Sequence, residues 1–170
     1  MPRPILVIGG GPAGLEAARG IASLGYNAIL VDKADFLGGN PISESYAALT
    51  PDMRNAEEAM DEMIAAITDN PLVDVRMNTT VVGSDGQAPN LKVTLKNGSV
   101  EEVVEVGSVI ISTGFQHFDP GKETQMYGYY EFDDVITLVD AEKMLKDGNF
   151  VRPSTGEKPD RVCFIQCVGS

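Results

Sequence analysis

The residues best placed to do chemistry in this sequence carry little or no side chain. Gly9-Gly10-Gly11-Pro12-Ala13-Gly14 is a run able to bring backbone N–H groups close to an anion. Gly9 permits a tight turn, Gly11 leaves room for a diphosphate against the backbone, and Gly14 lets a following helix lie close to a sheet. A helix starting here adds unpaired N–H groups and the positive end of its dipole. Pro12 stands where a missing N–H costs little. Asp32 comes 23 residues after Gly9. Its carboxylate can accept both hydroxyls of an adenosine ribose, and it disfavours a 2′-phosphate by like-charge repulsion. This spacing implies a dinucleotide binder or a descendant of one, against the plainer reading of an ordinary β-turn-α unit.

The other reactive side chains are sparse. Cys163 and Cys167 are the two cysteines, and His117 is the one histidine. On a single strand the two cysteines would share a side with α-carbons about 13 Å apart, too far for a disulfide. Cys163 reads as a buried apolar residue. His117 follows a strand end, where it serves structure or faces a ligand. Asp133-Asp134 reads as a solvated turn. No Ser-His-Asp, paired-carboxylate or metal-ligand spacing is visible.

The elements that must position these residues follow from pattern. Ile5-Leu6-Val7-Ile8 is a short apolar run that reads as a buried strand. A helical pattern runs from about Pro12 to Leu24, and Gly25 ends it. Asn27 to Val31 is a second strand, finishing in Asp32. Pro41 to Asp52 has no strong period and reads as loop or short turns. Asn55 to Thr68 is a helix with Met53, Ala56, Met60, Met63, Ile64 and Ile67 as its apolar stripe and Glu57, Glu58, Asp61 and Glu62 facing out. Val73 to Met77 alternates like a strand, Thr79 to Val82 continues it or begins another short one, and Gly83-Ser84-Asp85-Gly86 reads as a turn. Leu91 to Leu95, the hairpin signal Asn97-Gly98 and Val100 to Val106 complete a small antiparallel insertion. Val109-Ile110-Ile111 reads as another buried strand, Val139 to Leu145 as a helix, and Arg161 to Gln166 as a final strand. The expected fold class is α/β: a Rossmann-like domain with a central parallel sheet and an antiparallel insertion at about 81–106.

The chain has 170 residues, enough for one ordinary domain with a sizeable core. Its net charge of −12 argues against nucleic acid as the main partner. No apolar run approaches the ~20 residues that span a bilayer, so no membrane insertion is expected. Met1-Pro2-Arg3-Pro4 leads into a strand with no secretory pattern, which makes the cytoplasm the expected location.

Three stretches resemble the signatures of FAD-binding two-dinucleotide-fold proteins. The first is the glycine run ending in Asp32. The second is Lys33-Ala34-Asp35-Phe36-Leu37-Gly38-Gly39, where that family passes a Gly-Gly pair near the cofactor's diphosphate. The third is Ser112-Thr113-Gly114, similar to the Ala-Thr-Gly strand end that lies close to FAD, with serine in place of alanine. The resemblance implies FAD as cofactor. It implies a cofactor-binding set of Gly9, Gly11, Pro12, Ala13, Gly14, Asp32, Lys33, Gly38, Gly39, Val81, Thr113 and Gly114, with Val81 beside the adenine.

The second half is more specific. Gly114-Phe115, Phe118-Asp119-Pro120, Tyr127-Gly128-Tyr129, Val135-Ile136-Thr137, Arg152-Pro153-Ser154, Gly156, Lys158-Pro159 and Phe164-Ile165-Gln166-Cys167-Val168-Gly169-Ser170 resemble the heterodisulfide reductase A-subunit family. That family includes related subunits of the quinone-interacting membrane-bound oxidoreductase complex. Residues 1–40 and about 71–170 fit it, and 41–70 fit less well. The resemblance implies an FAD-dependent electron-transfer subunit whose partners are other redox subunits, iron-sulfur proteins among them. It implies an N-terminal fragment or short member, with residues 1–115 as the FAD-binding domain and 116–170 as a connecting segment leading into a second nucleotide-fold region. Cys167 is then the family cysteine and the one candidate for a catalytic or cluster-binding role. Two departures stand out. No cysteine lies between Met1 and Val162, where many members carry an iron-sulfur region, and 115–170 has no late Gly-Asp motif for the flavin side. An alternative is an NAD(P)H-linked FAD oxidoreductase of the thioredoxin-reductase kind, which predicts a second glycine-rich motif and a Cys-x-x-Cys pair. A further alternative is a scaffold that kept the fold without the flavin.

Overall fold

A computed structural model of the chain describes residues 2–120, 127–166 and 168. β1 is Ile5–Ile8, α1 is Pro12–Ser23 and β2 is Ala28–Val31. They form the expected β-α-β unit, with Gly25 at φ 81° ending the helix turn. The chain then makes a short α2 at Asn40–Ser43, a two-stranded pair β3 (Ala48–Leu49) and β4 (Arg54–Asn55), and α3 at Ala56–Thr68. Next come β5 (Val73–Arg76), β6 (Thr79–Gln87), β7 (Asn90–Asn97), β8 (Val100–Val106) and β9 (Ser108–Ile111). A final α4 spans Leu138–Lys146.

The strands sort into a parallel sheet of order β5-β2-β1-β9 and an antiparallel sheet of order β6-β7-β8. β1 pairs in register with β2 on one side and β9 on the other, Ile5 opposite both Ala28 and Ser108. Successive side chains on a strand point to opposite faces, and here both faces are covered. Val7, Ala28 and Leu30 pack with Leu15, Ala18 and Ile21 of α1 and Met60 and Ile67 of α3. Leu6, Ile29 and Val31 turn the other way, onto Val93, Leu95, Val104 and Val106 of β7 and β8. The antiparallel insertion is therefore a third layer that covers the second face of the parallel sheet over β1 and β2.

Several sequence expectations are corrected here. Gly83-Ser84-Asp85-Gly86 is not a turn: β6 runs through it, and the chain reverses between Gln87 and Asn90. The pairing register shifts between Val81 and Gly83, and a side chain on Gly86 would meet the Asn90 carbonyl. These glycines relieve a bulge and a close strand approach instead. β9 is not buried. It has a paired neighbour on one side only among the described residues, and Ile111 is 75% exposed. Arg161 to Gln166 forms no strand and Cys163 is exposed, because this stretch joins neither sheet. The segment from Pro41 to Asp52, read as loop or short turns, holds most of the one-turn α2 and the two-residue β3, which pairs with β4 just beyond it. Asp134 is more than a solvated turn: it accepts hydrogen bonds from Arg152, the Ser154 N–H and the Ser154 hydroxyl.

Two helix starts are fixed by side-chain caps. Asn55 Oδ1 accepts from the Glu57 and Glu58 N–H groups at 3.0 and 3.1 Å. Thr137 and Asp140 form a reciprocal capping box at α4. Burial would raise the Asp140 carboxyl, but hydrogen bonds from the Thr137 hydroxyl and N–H outweigh it and hold the group below the usual carboxylate range. No helix among the described residues is long and apolar enough to cross a membrane.

The methionines of the α3 stripe differ sharply in burial. Met60 is fully buried, whereas Met53 lies before the helix at φ 52° and is 68% exposed. Met60→Ala is expected to cost about 2–5 kcal/mol and Met53→Ala less than about 0.5 kcal/mol. Urea unfolding of both variants checks this, and equal losses would contradict the layer assignment.

Candidate cofactor site

The loops at the carboxyl ends of β1, β2 and β9 meet at one rim of the parallel sheet. The chain leaves β1 towards β2 and β5, then returns to the opposite side of β1 as β9. The strand order thus reverses between β1 and β9, and open α/β sheets form their ligand crevice at such a point.

The glycine run is held from several sides. The Gly9 N–H donates to the Val31 carbonyl at 2.8 Å, and the Gly38 N–H donates to the Gly10 carbonyl at 2.9 Å. The Gly10 N–H donates to Asp32 Oδ2 at 2.5 Å. Gly9 has φ 109°, and a side chain there would strike the carbonyl of Ser112. A side chain on Gly14 would overlap the carbonyl oxygen of Gly9. These two glycines are required by the protein's own packing. Gly11 is different. It precedes α1 with φ −78°, and an added Cβ would come only within ordinary contact, 3.7 Å, of the Gly39 α-carbon. Neither its φ nor packing demands a glycine, so the space it leaves is available to a ligand.

α1 opens directly on this space. No side chain caps it, Pro12 occupies its first turn and Ala13 is exposed. The first-turn N–H groups of Ala13 and Gly14 have no partner within the helix itself, so they and the helix dipole suit an anion. Gly38 and Gly39, at φ 106° and 59°, bring the second glycine loop against the first. A side chain on Gly39 would lie 2.9 Å from the Gly11 α-carbon.

Asp32 is more occupied than its spacing suggests. Besides Gly10, it accepts from the Ala34 N–H through Oδ1 at 2.8 Å. Each carboxylate oxygen keeps a second lone pair for a further donor. Lys33 is exposed beside it. β6 starts against the same corner, where the Thr79 N–H donates to the Asp32 carbonyl at 2.8 Å. That places Val81, half-buried, on the Asp32 side of the rim. Thr113 and Gly114 are exposed at the end of β9, across β1 from Asp32. Cys167 lies outside the described residues.

Four residues matter more than their sequence context suggests. Ser112 is no neutral stand-in for alanine: its hydroxyl lies 2.9 Å from the Ile8 carbonyl oxygen and 3.2 Å from that of Gly9, donating into the β1 turn. Asn40 Nδ2 donates to the Phe115 carbonyl at 3.0 Å. Tyr46 and His117 share a hydrogen bond of 2.7 Å. The last two contacts join residues 75 and 71 positions apart. No local pattern signals such a pairing.

A cavity of about 1100 Å³ lies along the C-terminal segment, lined by Tyr129, Val135, Arg152 and Lys158 among others, and touches none of the site glycines or Asp32. Among the described residues no group of three His, Cys, Asp or Glu side chains could hold a metal ion.

Known proteins are similar to this chain in sequence and in fold. The chain is 24% identical to an iron-sulfur A-type subunit of CoB--CoM heterodisulfide reductase from Methanopyrus kandleri, a match covering 98% of this chain and 37% of that protein. That alignment runs over 249 residues, more than this chain contains, so the relative carries inserted segments. The chain is 45% identical to the A-type subunit of H(2):CoB-CoM heterodisulfide,ferredoxin reductase from Methanothermobacter thermautotrophicus over 76 residues, 41% of this chain and 11% of that one. It thus spans about a third and about a tenth of these relatives' lengths. Among solved structures, the flavin-dependent monooxygenase PieE, in complex with FAD and substrate, superimposes with a TM-score of 0.53 at 14% identity, over 66% of this chain and 30% of that one. The pyridine nucleotide-disulphide oxidoreductase family matches residues 3–150, so the chain belongs to that family.

Proposed function

We propose that the rim of the parallel sheet binds FAD, and that the chain is the cofactor-holding part of an FAD-dependent oxidoreductase of the heterodisulfide reductase A-subunit kind. Gly11 carries this reading. It is a glycine whose missing side chain the fold does not need, at the uncapped start of α1. A diphosphate there would receive N–H groups from the first turn, with its adenosine towards Asp32 and Val81 and its other half towards Thr113 and Gly114. FAD supplies two-electron and one-electron chemistry when bound, and the residues named here would bind and orient it. The names of the relatives as subunits support partners that are other redox subunits, with iron-sulfur proteins as the natural electron donors and acceptors. We assign it to the cytoplasm, and we assign residues 116–170 to the approach to a second nucleotide-fold region, with Cys167 as the residue to test for a redox or cluster role in a longer protein.

Purified chain incubated with FAD and passed through gel filtration is expected to retain a flavin spectrum, and calorimetry is expected to show binding of ADP. Failure to bind FAD, ADP or NAD would leave the scaffold reading standing. Gly11→Ala and Gly14→Ala separate ligand space from packing space. Gly11→Ala should stay within about 1 kcal/mol of the wild-type stability yet lose FAD retention. Gly14→Ala should lose about 1–3 kcal/mol or more. Thermal unfolding with the flavin spectrum reads both, and full FAD retention by Gly11→Ala would contradict the site.

A further inference from the structure

Four contacts fasten the chain after Gly39 to the chain after β9. Asn40 donates to the Phe115 carbonyl, and Tyr46 pairs with His117. The Ala47 N–H donates to Glu142 at 2.9 Å, and Lys143 lies 3.7 Å from Glu44. The His117 ring also meets Phe115 edge-on, with ring centres 5.0 Å apart. None of Asn40, Tyr46, Phe115 or His117 belongs to either core cluster, and Phe115 is 65% exposed. The fold's hydrophobic layers therefore do not account for this ordered polar bridge.

Its position is informative. The bridge joins the loop beyond β2 to the loop beyond β9, the two strands that flank β1. A dinucleotide whose adenosine lies by Asp32 and whose diphosphate lies over α1 must extend its second half to the β9 side of the crevice. Thr113 and Gly114 come first on that side, and Phe115 to His117 follow them in the chain. Burial, with Glu44 and Glu142 nearby, pushes the Tyr46 hydroxyl above its usual value. The tautomer of His117 decides which partner of the pair donates.

Resting on the reading of the rim as an FAD site, we propose that Tyr46 and His117, supported by Asn40, form a clasp that closes over the flavin half of the cofactor and sets how long it stays bound. They are positioning residues. ADP, which ends at the diphosphate, does not reach the clasp, so the clasp distinguishes the whole cofactor from its adenine half.

The test is FAD release from the loaded chain, followed by the rise in flavin fluorescence on dilution, for wild type, Tyr46→Phe, His117→Gln and the double variant. Each single variant is expected to release FAD about two- to tenfold faster, the range for loss of one hydrogen bond. The double variant should be no faster than the faster single, because both remove the same bond. Affinity for ADP, measured by calorimetry, should not change. Release at the wild-type rate in both single variants overturns the clasp. So does a parallel loss of ADP affinity, which marks general loosening. A wild-type chain that takes up no FAD overturns instead the assignment of the site on which the clasp rests.

Discussion

The carbonyl oxygen of Gly9 lies where a side chain at residue 14 would have to be. This backbone-to-backbone contact sets the distance between α1 and the end of β1, and much of the molecule follows from it. The helix can start immediately over the strand because residue 14 carries no Cβ and Gly9, at φ 109°, makes the turn. Ser112 closes the same corner from β9, with its hydroxyl directed into the β1 turn. Asp32 closes it from β2 through the Gly10 N–H. Three strand ends are thereby drawn to one point, and the first turn of α1 is left facing outwards. A site built this way takes its precision from the sheet and its chemistry from backbone N–H groups.

Charge sharpens the point. The chain carries 25 acidic and 13 basic residues, an unpromising balance for holding an anionic diphosphate. Under the proposed reading, attraction for a diphosphate at the rim would be local, from oriented N–H groups and the α1 dipole, with Lys33 on the neighbouring loop. An acidic chain with an N–H-lined cradle also avoids the non-specific affinity for polyanions that a basic cradle would bring.

Legibility in the sequence followed the range of the interactions. β1, α1, β2 and α3 were readable because each is written in local periodicity and punctuated by glycine or a capping residue. Gly9, Gly14 and Asp32 were readable as a constellation, since their spacing is set by one β-α-β unit. Elements decided by distant partners were not. The Gly83–Gly86 stretch looks like a turn until β7 is seen opposite it. Ile110 and Ile111 look buried until β9 is seen to have one neighbour among the described residues. Arg161 to Gln166 has a strand's composition, but a strand exists only where another pairs with it. Within the site, the spacing of Asp32 suggested a ribose ligand but not the Gly10 and Ala34 N–H groups it already holds. Tyr46 and His117 carry no shared local signal, so only the folded chain brings them together.

The most direct test of the account is where an adenine dinucleotide touches the chain. Amide resonances of the labelled protein, followed by NMR during titration with ADP, read this residue by residue. The largest shifts are expected on Gly10, Gly11, Ala13 and Gly14, with Lys33, Ala34 and Gly39 next and Asn149 to Val162 unmoved. Shifts confined to the C-terminal segment around Arg152 and Lys158, with the glycine run silent, would contradict it.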